Sequence, residues 1–183
     1  MRETSTTLPP PTARFRTKDG RVLILRPIHD ADASLLRDLH RRHSANTRRL
    51  RFFSAMPELS AGLADRFSRV DFRDRAAFVA SFEGEEALRA VARYDAVAKD
   101  VAEVAFVVED SLQGQGVGCA LFDLLAAHAR SAGFKQFTAI MLAENSAMFH
   151  VFEKSAPIIA VRRTSETVEV DMSLESLPVA ASA

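Results

Sequence analysis

The sequence predicts a single domain of the α+β class. A chain of 183 residues is long enough for one domain with a core and too short for two. Strand-like and helix-like segments follow in the order strand, helices, three strands, helix, strand, helix, two strands. A glycine-rich loop, QGQGVG at residues 113–118, lies where the central strand passes into the central helix.

The composition is that of an ordinary globular chain, with 48% hydrophobic and 26% charged residues. Lys plus Arg and Asp plus Glu both number 24, and this balance argues against general nucleic-acid binding. No apolar run reaches the roughly 18 residues that cross a bilayer, and the N-terminus lacks the apolar segment of a secretory signal. The single cysteine excludes an internal disulfide. We therefore expect a cytoplasmic protein that binds neither nucleic acid nor membrane.

The first half of the chain predicts an arm, a strand and then helices. Residues 1–14 are rich in Thr and Pro and predict a disordered arm, followed by a domain over 15–175 and a flexible tail over 176–183. A turn at KDG precedes the strand VLILRP. Asp30 begins a helix over DADASLLRDLHRRH, and two further helical segments cover about 46–53 and LSAGLADRFSRV.

The second half alternates strands and helices. AAFVASF, ALRAVARYDAV and VAEVAFVV predict three successive strands, the last two joined as a hairpin. In the helix after the glycine loop, Val117, Leu121, Leu125 and Ala129 recur every four residues and form one buried stripe. QFTAIML is the next strand, Asn145 begins the short helix NSAMFHVFEK, and IIAVRR and TVEVDMSL close the domain as strands.

The glycine loop is the clearest functional signal. Gly114, Gly116 and Gly118 are three of the seven glycines in the chain. Successive backbone N–H groups and the positive end of the following helix can bind phosphate oxygens without a cationic side chain. Glycine allows close approach of a phosphate and tolerates positive φ. The alternative is a plain strand-to-helix turn, because short glycine motifs are weak evidence.

Two common nucleotide-binding motifs fit poorly. A P-loop requires a lysine and a hydroxyl residue after its last glycine, and neither follows Gly118. The dinucleotide fingerprint requires glycine where Cys119 stands and an acidic residue about 20 positions later at a strand end. Counting from Gly116 ends near Gln136, at the start of a strand. The spacing that fits is Gln/Arg-x-x-Gly-x-Gly/Ala, over Gln113, Gly116 and Gly118.

With this motif the chain resembles the GNAT family of acyl-CoA-dependent N-acetyltransferases. AEVAFVVEDSLQGQGVGCALFDLLAAHARSAG resembles the strand, pyrophosphate loop and helix of that family, and AIMLAENSAMFHVFEKSA its next strand and helix. The agreement in element order runs from Val22 to Leu174. LRPIHDADASLL, RRLRFFSAMPELS and VARYDA…AEVAFVVED are most similar to the catalytic domain of bacterial Pat-type protein lysine acetyltransferases. The resemblance implies a GNAT fold, with a central mixed, mostly antiparallel, splayed sheet of about seven strands flanked by helices.

The resemblance also implies acetyl-CoA as co-substrate. The loop amides would bind the pyrophosphate, the end of the preceding strand would bind the pantetheine arm, and Asn145 would contact that arm or act only as a helix cap. The five histidines show no paired metal-ligand spacing, so no metal is expected. The predicted cofactor-binding residues are Phe106, Val107, Val108, Gln113, Gly114, Gln115, Gly116, Val117, Gly118, Cys119, Ala120, Asn145 and Phe152.

Glu103 is the predicted catalytic residue. A lysine ammonium has a pKa of about 10.4, so roughly one in 2,500 is neutral at pH 7, and a base must remove a proton. Glu103 is the one charged residue of VAEVAFVV, and the catalytic glutamate of the family falls in this context. The alternatives are a pairing with Arg93 on the neighbouring strand or an outward-facing position. The resemblance places a backbone N–H near Val108 against the oxyanion.

Three residues depart from the family pattern or allow a second interpretation. Phe152 stands where many members have a tyrosine that protonates the leaving thiolate, although a thiol with a pKa of about 8.5 leaves moderately well unassisted. Tyr94 could substitute, but a structural role is favoured. Cys119 is interpreted as a small residue that permits close packing, rather than a nucleophile activated by His128 or His150.

The sequence therefore predicts an acetyl-CoA-dependent N-acetyltransferase that modifies a protein lysine by direct attack, as a monomer or homodimer. A small amine, such as an amino acid or a polyamine, is the alternative acceptor, and a non-catalytic acyl-CoA-binding sensor is the alternative function. A cluster of arginines between residues 37 and 51 is interpreted as a solvated helical face, with recognition of an acidic protein surface or of the cofactor 3′-phosphate as the alternative. Its members are Arg37, Arg41, Arg42, Arg48, Arg49 and Arg51.

Overall fold

A computed structural model describes residues 12–177, which form eight strands and five helices. The strands are β1 (Ala13–Arg16), β2 (Val22–Pro27), β3 (Arg75–Phe82), β4 (Leu88–Ala96), β5 (Val101–Val108), β6 (Gln136–Leu142), β7 (Ile158–Arg163) and β8 (Thr167–Ser173). The helices are α1 (Ala33–Arg42), α2 (Ala45–Phe52), α3 (Ala61–Ser68), α4 (Val117–Ser131) and α5 (Ser146–Ser155). Short 3-10 turns cover Asp30–Asp32 and Asp110–Leu112.

The strands form one mixed sheet in the order β1-β2-β3-β4-β5-β6-β8-β7. This confirms the predicted α+β class and the mostly antiparallel sheet, with one strand more than expected. The additional strand, β1, begins at Ala13, inside the segment predicted as an arm, and pairs with β2. Residues 1–11 and 178–183, which hold most of the predicted arm and tail, lie outside the described residues.

The sheet splays between β5 and β6. These strands are parallel, and α4 provides the crossover that a parallel connection requires. They pair only over Val101–Glu103 and Gln136–Thr138. Further along, β5 continues to pair with β4 up to Val108, and β6 continues to pair with β8 up to Leu142. A cleft therefore opens between the two strands just beyond Glu103.

Helices cover both faces of the sheet and bury two hydrophobic clusters. On one face α4 and α5 pack against a large core that includes Phe78, Phe122 and Phe137. On the other face α1 and α3 cover a smaller cluster that includes Leu39 and Val79. Because β3 is buried on both faces, its sequence reads as a nearly continuous apolar run rather than an alternation.

Tyr94 and His128 belong to the larger core. Tyr94 is fully buried, and its hydroxyl lies 3.1 Å from Nδ1 of His128 and 3.3 Å from the carbonyl oxygen of Arg73. Burial lowers the pKa of His128. The structural role favoured for Tyr94 is therefore the one observed, and His128 lies in the core among aromatic rings rather than beside the glycine loop.

Candidate functional site

The glycine loop turns sharply between β5 and α4. Gly114 has φ of 72° and Gly116, the N-cap of α4, has φ of 89°, a conformation that glycine adopts without strain. A Cβ on Gly116 would lie 3.3 Å from Cζ of Phe15 in β1. A Cβ on Gly118 would lie 3.2 Å from Cγ2 of Val151 in α5. Gly114 and Gly116 therefore allow the positive φ angles of the turn, and Gly118 allows the close approach of α4 to α5.

Side chains from distant parts of the chain hold the loop in place. Nε2 of Gln113 donates to the carbonyl oxygen of Val108 at 3.1 Å and to Oγ1 of Thr47 at 3.3 Å. Nζ of Lys18, in the turn between β1 and β2, donates to the carbonyl oxygen of Gly114 at 2.7 Å. The loop is therefore fixed before any ligand binds, which lowers the ordering cost of binding.

Asp110 joins the loop to the start of α2. Its carboxylate accepts hydrogen bonds from the backbone N–H of Ser44 at 3.1 Å, from Oγ of Ser44 at 2.8 Å and from Oγ1 of Thr47 at 2.7 Å. Burial alone would raise the pKa of Asp110, but the hydrogen bonds from Thr47 and Ser44 outweigh burial and hold that pKa below its ordinary value. An ion pair between Arg49 and Glu144 joins α2 to the β6–α5 loop on the other side of the cleft.

A cavity of about 470 Å³ opens between the loop, the end of β5, α2 and α5, and we call it the loop cavity. Three cationic side chains and no carboxylate are among the described residues that line it. With the N-terminus of α4, these cations make the cavity suitable for a phosphate-containing ligand. The lining residues are Lys18, Thr47, Leu50, Arg51, Phe106, Val107, Val108, Leu112, Gln113, Gly114, Gly116, Val117, Gly118, Cys119, Asn145, Ala147, Met148, His150, Val151 and Lys154.

The loop cavity brings together ten of the thirteen residues predicted to bind the cofactor. Asn145 lines it while its Oδ1 accepts the backbone N–H of Met148 at 3.1 Å, so the capping role and a position at the cavity coexist. The other nine are Phe106, Val107, Val108, Gln113, Gly114, Gly116, Val117, Gly118 and Cys119.

Three predicted residues do not line this cavity. Phe152 is 1% exposed, and its ring centroid lies 5.9 Å from that of Phe106 and 6.2 Å from that of Phe122. Because α5 turns residues 147, 148, 150, 151 and 154 towards the cavity, position 152 falls on the opposite, core-facing side. Nε2 of Gln115 donates to the carbonyl oxygen of Ser111 at 3.2 Å, and Ala120 packs against the larger core.

Glu103 lies at the point where β5 and β6 separate. It is exposed, and its register partners on the same face are Asp95 in β4 and Thr138 in β6. Within residues 12–177 its carboxylate makes no hydrogen bond. The alternative pairing with Arg93 is not observed, since Nε of Arg93 donates to Oδ2 of Asp95 at 3.1 Å.

Glu103 is not part of the wall of the loop cavity. It precedes Val107 by four strand residues, or about 13 Å of β5. Side chains two residues apart in a strand share a face. Glu103 therefore faces the same side of the sheet as Val107, which is the side that α2 covers.

A second, smaller cavity of about 40 Å³ lies on this side of the sheet, and we call it the guanidinium cavity. It shares Arg51 and Val107 with the loop cavity. Burial, together with the charge of Arg93, lowers the pKa of Arg51 to about 10 against the opposing effect of Asp95 and Glu103, so Arg51 stays charged at neutral pH. The lining residues are Leu36, Leu39, His40, His43, Arg51, Phe52, Leu59, Phe67, Val91, Arg93 and Val107.

Most members of the arginine cluster, which the sequence analysis interpreted as a solvated helical face, form ion pairs inside the chain. Arg37 pairs with Glu58 at 3.1 Å and Arg41 with Asp38 at 2.5 Å. Arg42 lies 3.6 Å from Glu109, and Arg49 pairs with Glu144. Arg51 is the member of the cluster that lines the two cavities just described.

Sequence reasoning missed Lys18, Thr47 and Lys154 as residues of the loop cavity. It named Arg51 only as one of six arginines, with recognition of an acidic protein surface or of the cofactor 3′-phosphate as the alternative interpretation. Lys18 bonds to a residue 96 positions away, and no local pattern could reveal that contact. Thr47 and Arg51 lie one helical turn apart on α2, so one face of that helix meets the cavity.

No group of three or more His, Cys, Asp or Glu side chains within residues 12–177 could hold a metal ion. None of the helices there has the length and apolar content that a bilayer crossing requires.

Comparison with known proteins decides the family. A model of the acetyltransferase (GNAT) domain matches residues 22–156. The chain belongs to the GNAT acetyltransferase family. Among GNAT relatives, acetyltransferase PA5475 of Pseudomonas aeruginosa is 34% identical over 133 residues, which are 71% of this chain and 72% of the relative.

Solved structures show the same GNAT fold. The GNAT domain of S. lividans PAT matches with a TM-score of 0.80 and 34% identity, over 88% of this chain and 96% of that domain. The acetyltransferase yncA from Salmonella typhimurium, solved with its cofactor acetyl-CoA, matches with a TM-score of 0.67 over 87% of this chain and 96% of that one. Its identity of 16% supports the fold alone.

Proposed function

We propose that this GNAT protein transfers an acetyl group from acetyl-CoA to the ε-amine of a protein lysine, with Glu103 as general base. The observation that carries the proposal is the position of Glu103. Its carboxylate is exposed at the apex of the β5–β6 cleft, has no hydrogen-bonded partner within residues 12–177, and shares a face with Val107 of the loop cavity. The match to the GNAT domain of S. lividans PAT supports the resemblance to Pat-type enzymes, and that resemblance implies a protein lysine as acceptor.

The loop cavity fits acetyl-CoA by the chemistry of its lining. Gly116 and Gly118 carry no side chains at the start of α4, and both line the cavity, so a diphosphate would bind to the backbone N–H groups of this turn. Lys18 and Lys154 add positive charge, and no described carboxylate opposes it. When bound, acetyl-CoA supplies an activated thioester. Val107 and Val108 would bind the pantetheine arm of acetyl-CoA along β5.

Glu103 solves the acid–base problem of an amine acceptor. Near neutral pH an unperturbed lysine is almost entirely protonated and cannot attack a carbonyl carbon. A carboxylate that accepts the ammonium proton, directly or through one water, generates the neutral nucleophile. Asp95 cannot easily take this role, because it already accepts hydrogen bonds from Arg75 at 2.7 Å and from Arg93 at 3.1 Å.

The departing thiolate does not require Phe152. That side chain has no proton to donate and is buried in the core. A thiol with a pKa of about 8.5 is a moderately good leaving group at neutral pH. We therefore propose that this chain works without a dedicated acid at that position, at some cost in rate.

The test is incubation of the protein with isotope-labelled acetyl-CoA and a proteome extract, followed by mass spectrometry of peptides and of small amines. Label is expected on lysine side chains. The variant Glu103→Gln should lower the rate by about 10²–10⁴-fold, the usual contribution of general base catalysis. The matched control is Glu86→Gln, in the exposed β3–β4 turn, and it should retain full activity. Label confined to small amines would contradict the proposed acceptor.

A non-catalytic acyl-CoA-binding sensor is the competing function. Two observations favour it: Phe152 offers no acid, and Glu103 lies outside the wall of the loop cavity. Tight binding of CoA, with no transfer to any acceptor and no effect of Glu103→Gln on thiol release, would support the sensor. For either function we propose a cytoplasmic location.

A further inference from the structure

The guanidinium cavity places two arginines on the side of the sheet where the proposed acceptor amine must arrive. Cζ of Arg51 lies 4.8 Å from the ring centroid of Phe52, and Cζ of Arg93 lies 4.4 Å from that of Phe67. Both rings are part of the cavity wall. The charged ends of the arginines, and not only their aliphatic stems, therefore belong to this cavity.

The charges around the cavity leave Arg51 without a close partner. Arg75 and Arg93 both donate to Asp95. Burial lowers the pKa of His40 and lowers that of His43 to about 4, so both histidines are neutral at pH 7. Within residues 12–177, the Arg51 guanidinium forms neither a hydrogen bond nor an ion pair with another side chain.

The remaining carboxylate on this face does not neutralise Arg51 by contact. Glu103 attracts Arg51 electrostatically but does not approach it as an ion pair in the described residues. The Arg51 side chain is half-buried, and a guanidinium that loses part of its hydration without gaining a hydrogen-bonded partner is stabilised by an anion. Arg51 is therefore available to pair with an anion on the side of the sheet that carries the candidate base.

The size of the cavity limits the anion. A volume of about 40 Å³ holds roughly three water molecules at the 10–15 Å³ that each requires. It would accept a single carboxylate but not a complete metabolite. Because Arg51 and Val107 line both cavities, this carboxylate would lie next to the acetyl group delivered through the loop cavity.

We propose that the guanidinium cavity is an acceptor subsite for a carboxylate, so that the preferred acceptor is a lysine flanked by Asp or Glu. The inference rests on the proposed function, because it assigns the recognition of that same acceptor. Arg51 is the specificity-determining residue, since its planar group can donate two parallel hydrogen bonds to a carboxylate. Arg93, held by Asp95, adds positive charge from the other side of the cavity.

The experiment uses two peptides with blocked ends that differ only beside one central lysine. One carries glutamate on both sides of the lysine, and the other carries glutamine. Values of kcat/KM are measured for the wild-type chain and for Arg51→Gln, Arg51→Lys and the control Arg41→Gln, which alters an exposed arginine of α1 that pairs with Asp38. Thermal melts establish that each variant folds.

The wild-type chain and Arg41→Gln should prefer the glutamate peptide by about tenfold or more, as expected for a charge-assisted contact. Arg51→Gln should reduce the preference to within about twofold by slowing the glutamate peptide, and Arg51→Lys should retain part of it. Equal use of both peptides by the wild-type chain would overturn the inference. An equal loss on both peptides in Arg51→Gln would also overturn it, because Arg51 would then serve Glu103 or the thioester.

Binding separates this inference from the proposed function. Affinities of the two peptides for Glu103→Gln in the presence of CoA, from fluorescence anisotropy, require no turnover. A retained preference for the glutamate peptide without acetylation by the wild-type chain would support the subsite and count against the proposed reaction. Equal affinities of the glutamate and glutamine peptides would contradict the subsite, even if lysine acetylation is observed.

Discussion

The loop glycines give a quantitative test of how the turn into α4 is built. Alanine at Gly116 must adopt φ of 89°, which costs an L-residue roughly 1–2 kcal/mol, and its Cβ would press on Phe15 at 3.3 Å. Alanine at Gly118 has no such backbone cost and gains roughly 0.8–1.0 kcal/mol of helix propensity. That gain opposes the 3.2 Å contact with Val151.

We therefore expect Gly116→Ala to lower Tm by about 2–8 °C, since about 1 kcal/mol corresponds to about 2–4 °C for a domain of this size. Gly118→Ala should change Tm by no more than about 4 °C in either direction. The matched control is Gly84→Ala, in the β3–β4 turn, where φ is 83° and no atom lies within 4 Å of the added Cβ.

The assay combines thermal melts with CoA titration by calorimetry. Gly84→Ala should lose stability through the backbone alone and bind CoA as the wild-type chain does. Gly116→Ala should lose both stability and CoA affinity, because the distorted turn carries the N–H groups at the start of α4. The reasoning is refuted if Gly118→Ala is the less stable of the two loop variants, or if Gly116→Ala binds CoA normally.

Two further predictions concern a lysine and a histidine. Lys18→Met should weaken CoA binding by about three- to tenfold in calorimetry, because it removes a charge from the loop cavity and a 2.7 Å hydrogen bond to Gly114. The control is Lys99→Met, which alters an exposed lysine. An unchanged CoA affinity of Lys18→Met would contradict the role of Lys18. Burial lowers the pKa of His43 to about 4, with Asp110 partly opposing the shift, whereas an unfolded histidine titrates near 6.5. His43 therefore contributes its full stability above pH 6.5 and loses up to about 3 kcal/mol as the pH falls to 4. Urea melts should show a shallower decline for His43→Gln over this range, and parallel curves would contradict the burial argument.

The elements that the sequence predicted well are those whose signals are local. The glycine spacing, the four-residue apolar repeat of α4 and the capping Asn145 all depend on neighbours within a few positions, and each lies where it was predicted. The strand β1 was missed because ARFR follows a Pro-rich segment and has no apolar run. It is a strand because β2 offers it an open edge, which is a tertiary effect.

The candidate site was predicted unevenly for a related reason. Family spacing assigned Phe152 to the cofactor, whereas helical phase decides which side of α5 meets the cavity, and that phase puts Phe152 between Phe106 and Phe122. Lys18 could not be predicted because it reaches the cavity from the β1–β2 turn, which no motif connects to the loop. Arg51 was named only within a cluster of six arginines, because its sequence context does not show which face of α2 meets the cavity.

The short pairing of β5 with β6 connects the fold to the proposed chemistry. A parallel ladder that continued to Val108 would close the cleft and leave no backbone to bind a cofactor arm. A ladder that ended before Val101 would leave Glu103 without the neighbouring strand that fixes its position. Pairing that stops at Glu103 and Thr138 meets both requirements, since the sheet holds the base rigidly on one side and opens beside it on the other. The three-residue ladder therefore determines where a thioester, an amine and a carboxylate can meet.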